Sequence, residues 1–169
     1  MRQIVLIAHD IRSTHNVGAL LRTADCLGVD TVYFSGYTPY PTRDSGPDTR
    51  LPHIARKLDM QIHKTALGAE KSVSWQCHPD AFILLQTLRD QGYCIAALEQ
   101  HPDSLDISSW RPPDKIALLL GREVEGVDPD LLSMCDVVVE IPQFGTKESL
   151  NVVQAAAISL YQMRFATLV

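Results

Sequence analysis

The chain has 169 residues, of which 46% are hydrophobic and 21% charged, enough for one domain with a real core and no low-complexity tail. A formal net charge of −5 argues against a protein held to nucleic acid by bulk charge. No run of 18 apolar residues occurs, and MRQIVLIAHD meets acid at Asp10 without a signal peptide's long apolar region, so neither a membrane span nor a leader is expected.

In chain order, Gln3–Ala8 is rich in Ile and Val and predicts a first strand. From Thr14 to Leu27 the apolar positions Val17, Leu20, Leu21, Ala24 and Leu27 recur at helical spacing, and Gly28 closes that helix at C′. Thr31–Ser35 predicts a second strand, and Gly36 to Asp48 a loop rich in Pro, Gly, Thr and Tyr. Leu51–Leu58 predicts a helix with Pro52 in its first turn, and residues 59–77 give only short extended pieces. Pro79–Gln91 predicts another helix, closed by Gly92, before a strand at Tyr93–Leu98. The run IALLL within Lys115–Leu120 has the continuous apolar character of a strand buried on both faces. Pro129–Met134 predicts a short helix, Val137–Ile141 a strand, and Ser149–Ala166 a last helix with almost no charge. Strands alternating with helices imply an α/β domain whose mostly parallel sheet carries helices on both faces. Ligands of such sheets bind at the carboxyl ends of the strands, which directs attention to the loops at 9–16, 36–50, 98–104, 121–127 and 142–149.

Three of those loops carry unusual residues. GREVEG, Gly121 to Gly126, has two glycines but neither a dinucleotide nor a P-loop fingerprint; by itself it reads as a tight turn with solvated glutamates. In HNVGALLRTAD, Asn16 and Gly18 open a helix whose Arg22 is flanked by apolar residues, which taken alone is a surface arginine. In IPQFGTKESLNVVQAAAI, Thr146 or Ser149 caps the helix, leaving Asn151 inside its first turn to seek a tertiary hydrogen bond. No Ser/His/Asp or Cys/His set is legible from order alone. The cysteines, Cys26, Cys77, Cys94 and Cys135, lack zinc-ligand spacing and read as reduced thiols of a cytoplasmic protein, so no metal is expected.

Together, N-x-G-x-x-x-R-T-A, L-G-x-E-x-x-G and I-P-x-x-G-x-x-x-S-L-N-V-x-x-A-A-A-I resemble, in order and spacing, the three motifs of the SpoU (TrmH-type) branch of the SPOUT RNA methyltransferases. KTALGAE, Lys64 to Glu70, and ALEQ, Ala97 to Gln100, also look like that family, and the resemblance covers essentially the whole chain. It implies a single SPOUT domain over 1–169 with no accessory RNA-binding domain and a C-terminal deep trefoil knot. The usual avoidance of threaded connections predicts an ordinary open sheet, so the knot is implied by the resemblance alone. It further implies a cytoplasmic homodimer that binds S-adenosylmethionine, releases S-adenosylhomocysteine and methylates a ribose 2′-hydroxyl of tRNA or rRNA. Base methylation, as in other SPOUT branches, and a catalytically silent knotted RNA-binding protein are the alternatives. A dinucleotide oxidoreductase is excluded by the missing glycine fingerprint.

By motif position the resemblance assigns Leu98, Gly121, Ile141 and Leu150 to the methyl donor, and Asn16, Arg22, Glu123, Ser149 and Asn151 to the chemistry. It offers Arg22 as the base. Guanidinium groups hardly ever deprotonate, so the alternative is that Arg22 grips the adjacent phosphate and steadies developing oxygen charge while water or the phosphate accepts the proton. RNA must then be held by local charge. The Lys and Arg residues concentrate before residue 72, and Arg50, Arg56 and Lys57, with Tyr37 and Tyr40 nearby, are the candidate RNA contacts. Two departures from the pattern stand out: a long loop from Pro39 to Arg50, and Gln143-Phe144 where many relatives have Met and another residue.

Overall fold

The computed structural model describes residues 1–42 and 48–166. Within these residues seven strands form one sheet: β1 (Gln3–His9), β2 (Thr31–Ser35), β3 (Trp75–Cys77), β4 (Cys94–Leu98), β5 (Leu105–Asp106), β6 (Lys115–Leu120) and β7 (Val137–Glu140). Among the described residues six helices connect and cover them: α1 (Thr14–Cys26), α2 (Pro52–Ala66), α3 (Ala69–Ser72), α4 (Ala81–Asp90), α5 (Pro129–Ser133) and α6 (Val152–Phe165). The spatial order is β3-β2-β1-β6-β4-β7-β5, and every pairing is parallel.

The central strands are apolar on both sides because helices cover both. Ile4, Leu6 and Ala8 of β1, with Ile116, Leu118 and Leu120 of β6, pack against α1, α2 and α6. Val5, Ile7, Ala117 and Leu119 point the other way, onto Leu84, Leu85 and Leu88 of α4 and Leu131 of α5. Period-two alternation within a continuous apolar run thus serves two cores at once.

Local signals set most boundaries. The Ser13 side chain accepts the Asn16 backbone N–H at 3.3 Å and starts α1, and Gly28 (φ 64) follows its end. Three expectations change. The helix expected over Leu51–Leu58 runs on to Ala66, because Ala55, Ile62 and Ala66 continue its buried face; α3 and β3 then fill the uncertain stretch. The two-residue β5 at the sheet edge has no pattern signal, being too short for alternation. The last helix begins at Val152 rather than Ser149, and Asn151 itself is the cap: its Oδ1 accepts the Val153 N–H at 2.9 Å. The expectation of a long loop between Pro39 and Arg50 falls partly on residues 43–47, outside the described residues.

Candidate functional site

β4, β6 and β7 end side by side, and the loops leaving them enclose a cleft of about 490 Å³. Leu98 ends β4 and Glu99 follows it, Leu120 ends β6 and residues 121–126 follow it, and Ile141, Gln143 and residues 148–151 lead from β7 to Val152 at the start of α6. All four residues assigned to the donor, Leu98, Gly121, Ile141 and Leu150, line this cleft, and so do Glu123, Ser149 and Asn151.

The GREVEG loop is pinched shut. Arg122 N donates to Gly126 O at 3.0 Å and Gly126 N returns to Arg122 O at 3.1 Å, leaving Glu123, Val124 and Glu125 at the exposed tip. Glu99 anchors the far end of the loop, accepting Val127 N–H at 2.8 Å, and it also takes Gln100 N–H at 3.0 Å. Gly126 is required there: it holds φ 73, and a Cβ on it would meet Glu99 Oε2 at 2.1 Å. Gln100 ties two loops together, its Nε2 donating to Glu148 O at 2.8 Å. Gln143 Nε2 donates back to Ile141 O at 2.7 Å, so the residue that departs from the family pattern stabilises its own turn, while Phe144 stands fully in solvent.

A polar chain crosses the mouth of the cleft. Asn16 Nδ2 donates to Glu123 Oε1 at 3.2 Å, and Asn151 Nδ2 donates to Asn16 Oδ1 at 3.4 Å. Asn16 sits in the first turn of α1 and Asn151 at the head of α6, so two helix starts and the loop after β6 meet here. Asn151 therefore has two jobs, capping through its oxygen and bridging through its nitrogen. Ser149 is exposed on the lining, with no side-chain partner among the described residues.

Arg22 is not part of this assembly. It lies six residues after Asn16 on α1, about 9 Å further along the axis, exposed and without a hydrogen bond or ion pair among the described residues. The candidate RNA contacts also divide. Arg56 and Lys57 are exposed on α2, with no hydrogen bond or ion pair among the described residues. The Arg50 side chain is only 14% exposed: it pairs with Asp48 at 2.6 Å, donates to Tyr40 O at 2.6 Å and Pro41 O at 3.1 Å, and lies 3.8 Å over the Tyr40 ring. Its hydrogen bonds push the Asp48 carboxyl down to about 2. Arg50 thus staples its own loop and covers Tyr40, whereas Tyr37 remains exposed, with Arg12 5.6 Å from its ring centroid.

Charge around the cleft is lopsided. Glu99, Glu123, Glu125, Glu140 and Glu148 line it, against Arg122 as the one cation of the lining among the described residues, and Arg122 turns away to Asp10 at 3.0 Å. Glu99, Arg122 and Asp10 have no role assigned from sequence, although Glu99 lies in the ALEQ stretch that resembles the family and Arg122 in the GREVEG loop. No group of three or more His, Cys, Asp or Glu placed to hold a metal occurs among the described residues.

A wholly parallel sheet, covered on both faces and opening a loop-lined cleft at its carboxyl edge, defines an α/β ligand-binding protein. The profile of the SpoU rRNA Methylase family matches residues 49–161, and the chain belongs to that family. It is 30% identical over 161 residues to the 23S rRNA (guanosine-2′-O-)-methyltransferase RlmB of Neisseria meningitidis, covering 95% of this chain and 58% of that protein. It is 28% identical to the tRNA (guanosine(18)-2′-O)-methyltransferase of Thermus thermophilus, covering 94% of this chain and 73% of that enzyme. The chain therefore spans between about half and three quarters of these relatives. Among solved structures, the AdoMet-bound rRNA methyltransferase of Sinorhizobium meliloti superposes with a TM-score of 0.80 at 20% identity, over all of this chain and 59% of that one. The TrmH/SpoU tRNA modifying enzyme of A. aeolicus gives 0.78 at 22% identity, over 97% and 75%. At these identities the superpositions establish the shared fold.

Proposed function

We propose that the protein is an S-adenosylmethionine-dependent RNA methyltransferase acting on a ribose 2′-hydroxyl of tRNA or rRNA. One observation carries this reading: four residues scattered between positions 98 and 150 converge on one cleft, with the Asn16–Glu123–Asn151 chain at its mouth. Two relatives named as 2′-O-methyltransferases support the ribose as acceptor over a base.

The residues present fit the donor. Leu98, Ile141 and Leu150 offer apolar contact, Gly121 lets the loop fold back on itself where any Cβ would meet the Gly126 backbone at 2.5 Å, and the surplus of carboxylates complements a cationic ligand. S-adenosylmethionine supplies a methyl group already activated on a sulfonium, so no metal is needed. This chain's work is then positioning, which holds the acceptor oxygen in line and contributes on the order of 7–11 kcal/mol at best. Glu123 and Asn151, fixed to each other through Asn16, set the rim against which the ribose lies. Ser149 presents a free hydroxyl to the same space.

Arg22 contributes through a second copy of the chain. It does not line the cleft of its own chain, while α6 exposes an apolar stripe of Ile158 (45%), Tyr161 (56%) and Phe165 (64%) that asks for a partner. Val152, Ala155, Ala156 and Leu160 leave this helix little polar face, but Ala156 and Leu160 are buried within the chain and Val152 and Ala155 half-buried, so Ile158, Tyr161 and Phe165 are the residues left to meet a second copy. In the dimer Arg22 grips a phosphate and steadies charge on the acceptor oxygen, its planar fork suited to both. RNA approaches over Arg56, Lys57 and the Arg12–Tyr37 pair, with Arg50 holding the loop beneath. A cytoplasmic enzyme follows from such a substrate; no helix among the described residues is long and apolar enough to cross a membrane.

The knot is part of the same reading. It is supported by β6, which is later in sequence than β4 yet lies between β4 and β1, and by β7 pairing beyond β4 before the chain returns through residues 141–151 to α6.

Incubating the protein with labelled donor and total RNA, followed by nucleoside analysis, tests the reading. Label on 2′-O-methylated nucleosides is expected. Label confined to bases makes it a base methyltransferase, and donor binding with no transfer to any RNA makes it a silent RNA-binding protein.

A further inference from the structure

Asp10 is the first residue after β1, and its backbone holds φ 56, in the left-handed region. Its side chain is buried and engages three ways. Oδ1 accepts the Tyr37 backbone N–H at 3.1 Å, Oδ2 accepts Arg122 Nε at 3.1 Å and Nη2 at 3.0 Å, and His9 Nε2 lies 3.4 Å from Oδ2. Gly36 sits against this carboxylate in a left-handed turn (φ 62), where any Cβ would come within 1.9 Å of Oδ1. The loops leaving three adjacent strands, β2, β1 and β6, therefore converge on one carboxylate.

Arg122 is the cleft's pinch residue, and Glu123 beside it holds Asn16. Glu99 anchors the loop after β6 on the cleft side, and Asp10 anchors it on the other. On its remaining oxygen Asp10 holds Tyr37, whose ring carries Arg12 on the surface assigned to RNA. A strained backbone, a buried charge and an obligatory glycine at one point mark a junction that the fold sustains at a cost.

We propose that Asp10 is a positioning residue that couples the donor loop to the RNA-facing loop at 36–42, so that each ligand favours the other. The pair of bonds from Arg122 transmits the order of the donor loop to Asp10, and the Tyr37 amide transmits it onward. Coupling of this kind is reciprocal: donor tightens RNA and RNA tightens donor by the same factor, typically on the order of 5–150-fold. The inference rests on the methyltransferase reading for the identity of the two ligands.

Hydrogen exchange with and without saturating S-adenosylmethionine tests it, alongside donor titration by calorimetry, on the whole chain. In the wild type, donor slows exchange at 121–127 and also at 36–42. Asp10→Asn keeps an oxygen for the Tyr37 amide but loses the charge that holds Arg122; Arg122→Met removes the other partner. In both, donor at saturating concentration still protects 121–127 and no longer protects 36–42, and its dissociation constant rises on the order of tenfold, the strength of a lost charged hydrogen bond. Arg122→Lys, which keeps a charge for Asp10, restores most of the protection at 36–42, as a merely structural defect would not. Donor that binds the wild type without changing exchange at 36–42, or variants that respond like the wild type, overturns the coupling while leaving the methyltransferase reading intact. A wild type that binds no donor overturns both.

Discussion

Asn151 shows how one side chain holds a helix end and a second helix through different atoms. Its oxygen caps α6, and its nitrogen reaches Asn16 across 135 positions of sequence. Asn151→Ala is expected to cost about 0.5–2 kcal/mol as a lost cap, read as a lower melting temperature. Asn151→Asp separates the roles, because a carboxylate caps as well as an amide and donates nothing. Melting within a degree or two of wild type, with methyl transfer reduced at least tenfold, is the expected outcome; an Asn151→Asp chain that turns over normally removes Asn151 from the chemistry. An unexplained polar residue at the mouth of an apolar helix was legible in the sequence, and so was its need for a tertiary partner. What was not legible was the partner, since Asn16 is brought there by the placement of α1 beside α6. The same limit hid Asp10 and Arg122, each unremarkable in its own loop and significant only where three strand ends meet.

At the scale of elements, apolar period and glycine or serine punctuation marked β1, α1, β2, β4, β6 and β7 within a residue or two. The failures have local causes. α2 runs eight residues past Leu58 on a buried face of only Ala55, Ile62 and Ala66, whose period is blurred by the apolar but exposed Met60, and β5 is too short for any period. Adjacent strand ends also create a titratable contact that no single element reveals. His9 closes β1, its Nδ1 2.7 Å from Ser35 Oγ at the end of β2. Burial is the main cause that lowers its pKa from the ordinary 6.5, outweighing the pull of Asp10. The unfolded chain therefore binds a proton that the native fold resists. Stability is expected to fall as pH drops below about 6.5 and on through the lower native value, and to be insensitive to this group above it. Melting temperatures taken from pH 8 to pH 5 check this: wild type declines toward the acid end, and His9→Gln declines less. Parallel curves would show that His9 is not the group responsible.

Across the whole molecule, the parallel α/β class was readable from the alternation of patterns, but the strand order was not. Nothing in local sequence says that β6 inserts between β1 and β4. The acidic total likewise gives no account of how RNA would be held, and exposure separates the candidate contacts. Replacing Arg56 and Lys57 together by Gln is expected to reduce the salt slope of RNA binding by about 1.4 for two contacts to a single strand. Arg50→Gln is expected to leave that slope almost unchanged and to lower the melting temperature, since Arg50 is committed to Asp48 and Tyr40.

Placing Arg22 in a partner's cleft makes a demand on the assembly that neither chain meets alone. Arg22→Lys keeps the charge and loses the fork, so methyl transfer falls steeply while donor affinity, set by the other face of the site, holds. Asn151→Asp disables the cleft itself. Mixed after unfolding and refolding together, the two inactive chains form a random population of dimers. In a two-fold dimer with trans-acting Arg22, each mixed pair has one complete site, intact cleft facing intact arginine, and one site doubly damaged. Half the dimers are mixed and half their sites are whole, so transfer recovers to about one quarter of wild type. If Arg22 instead served its own chain, every site in every mixed dimer would carry one lesion and no activity would return. Recovery also requires the apolar stripe. Ile158→Glu in both chains is expected to yield monomers by light scattering and to abolish the complementation, although each monomer still carries an undamaged donor cleft or an undamaged arginine.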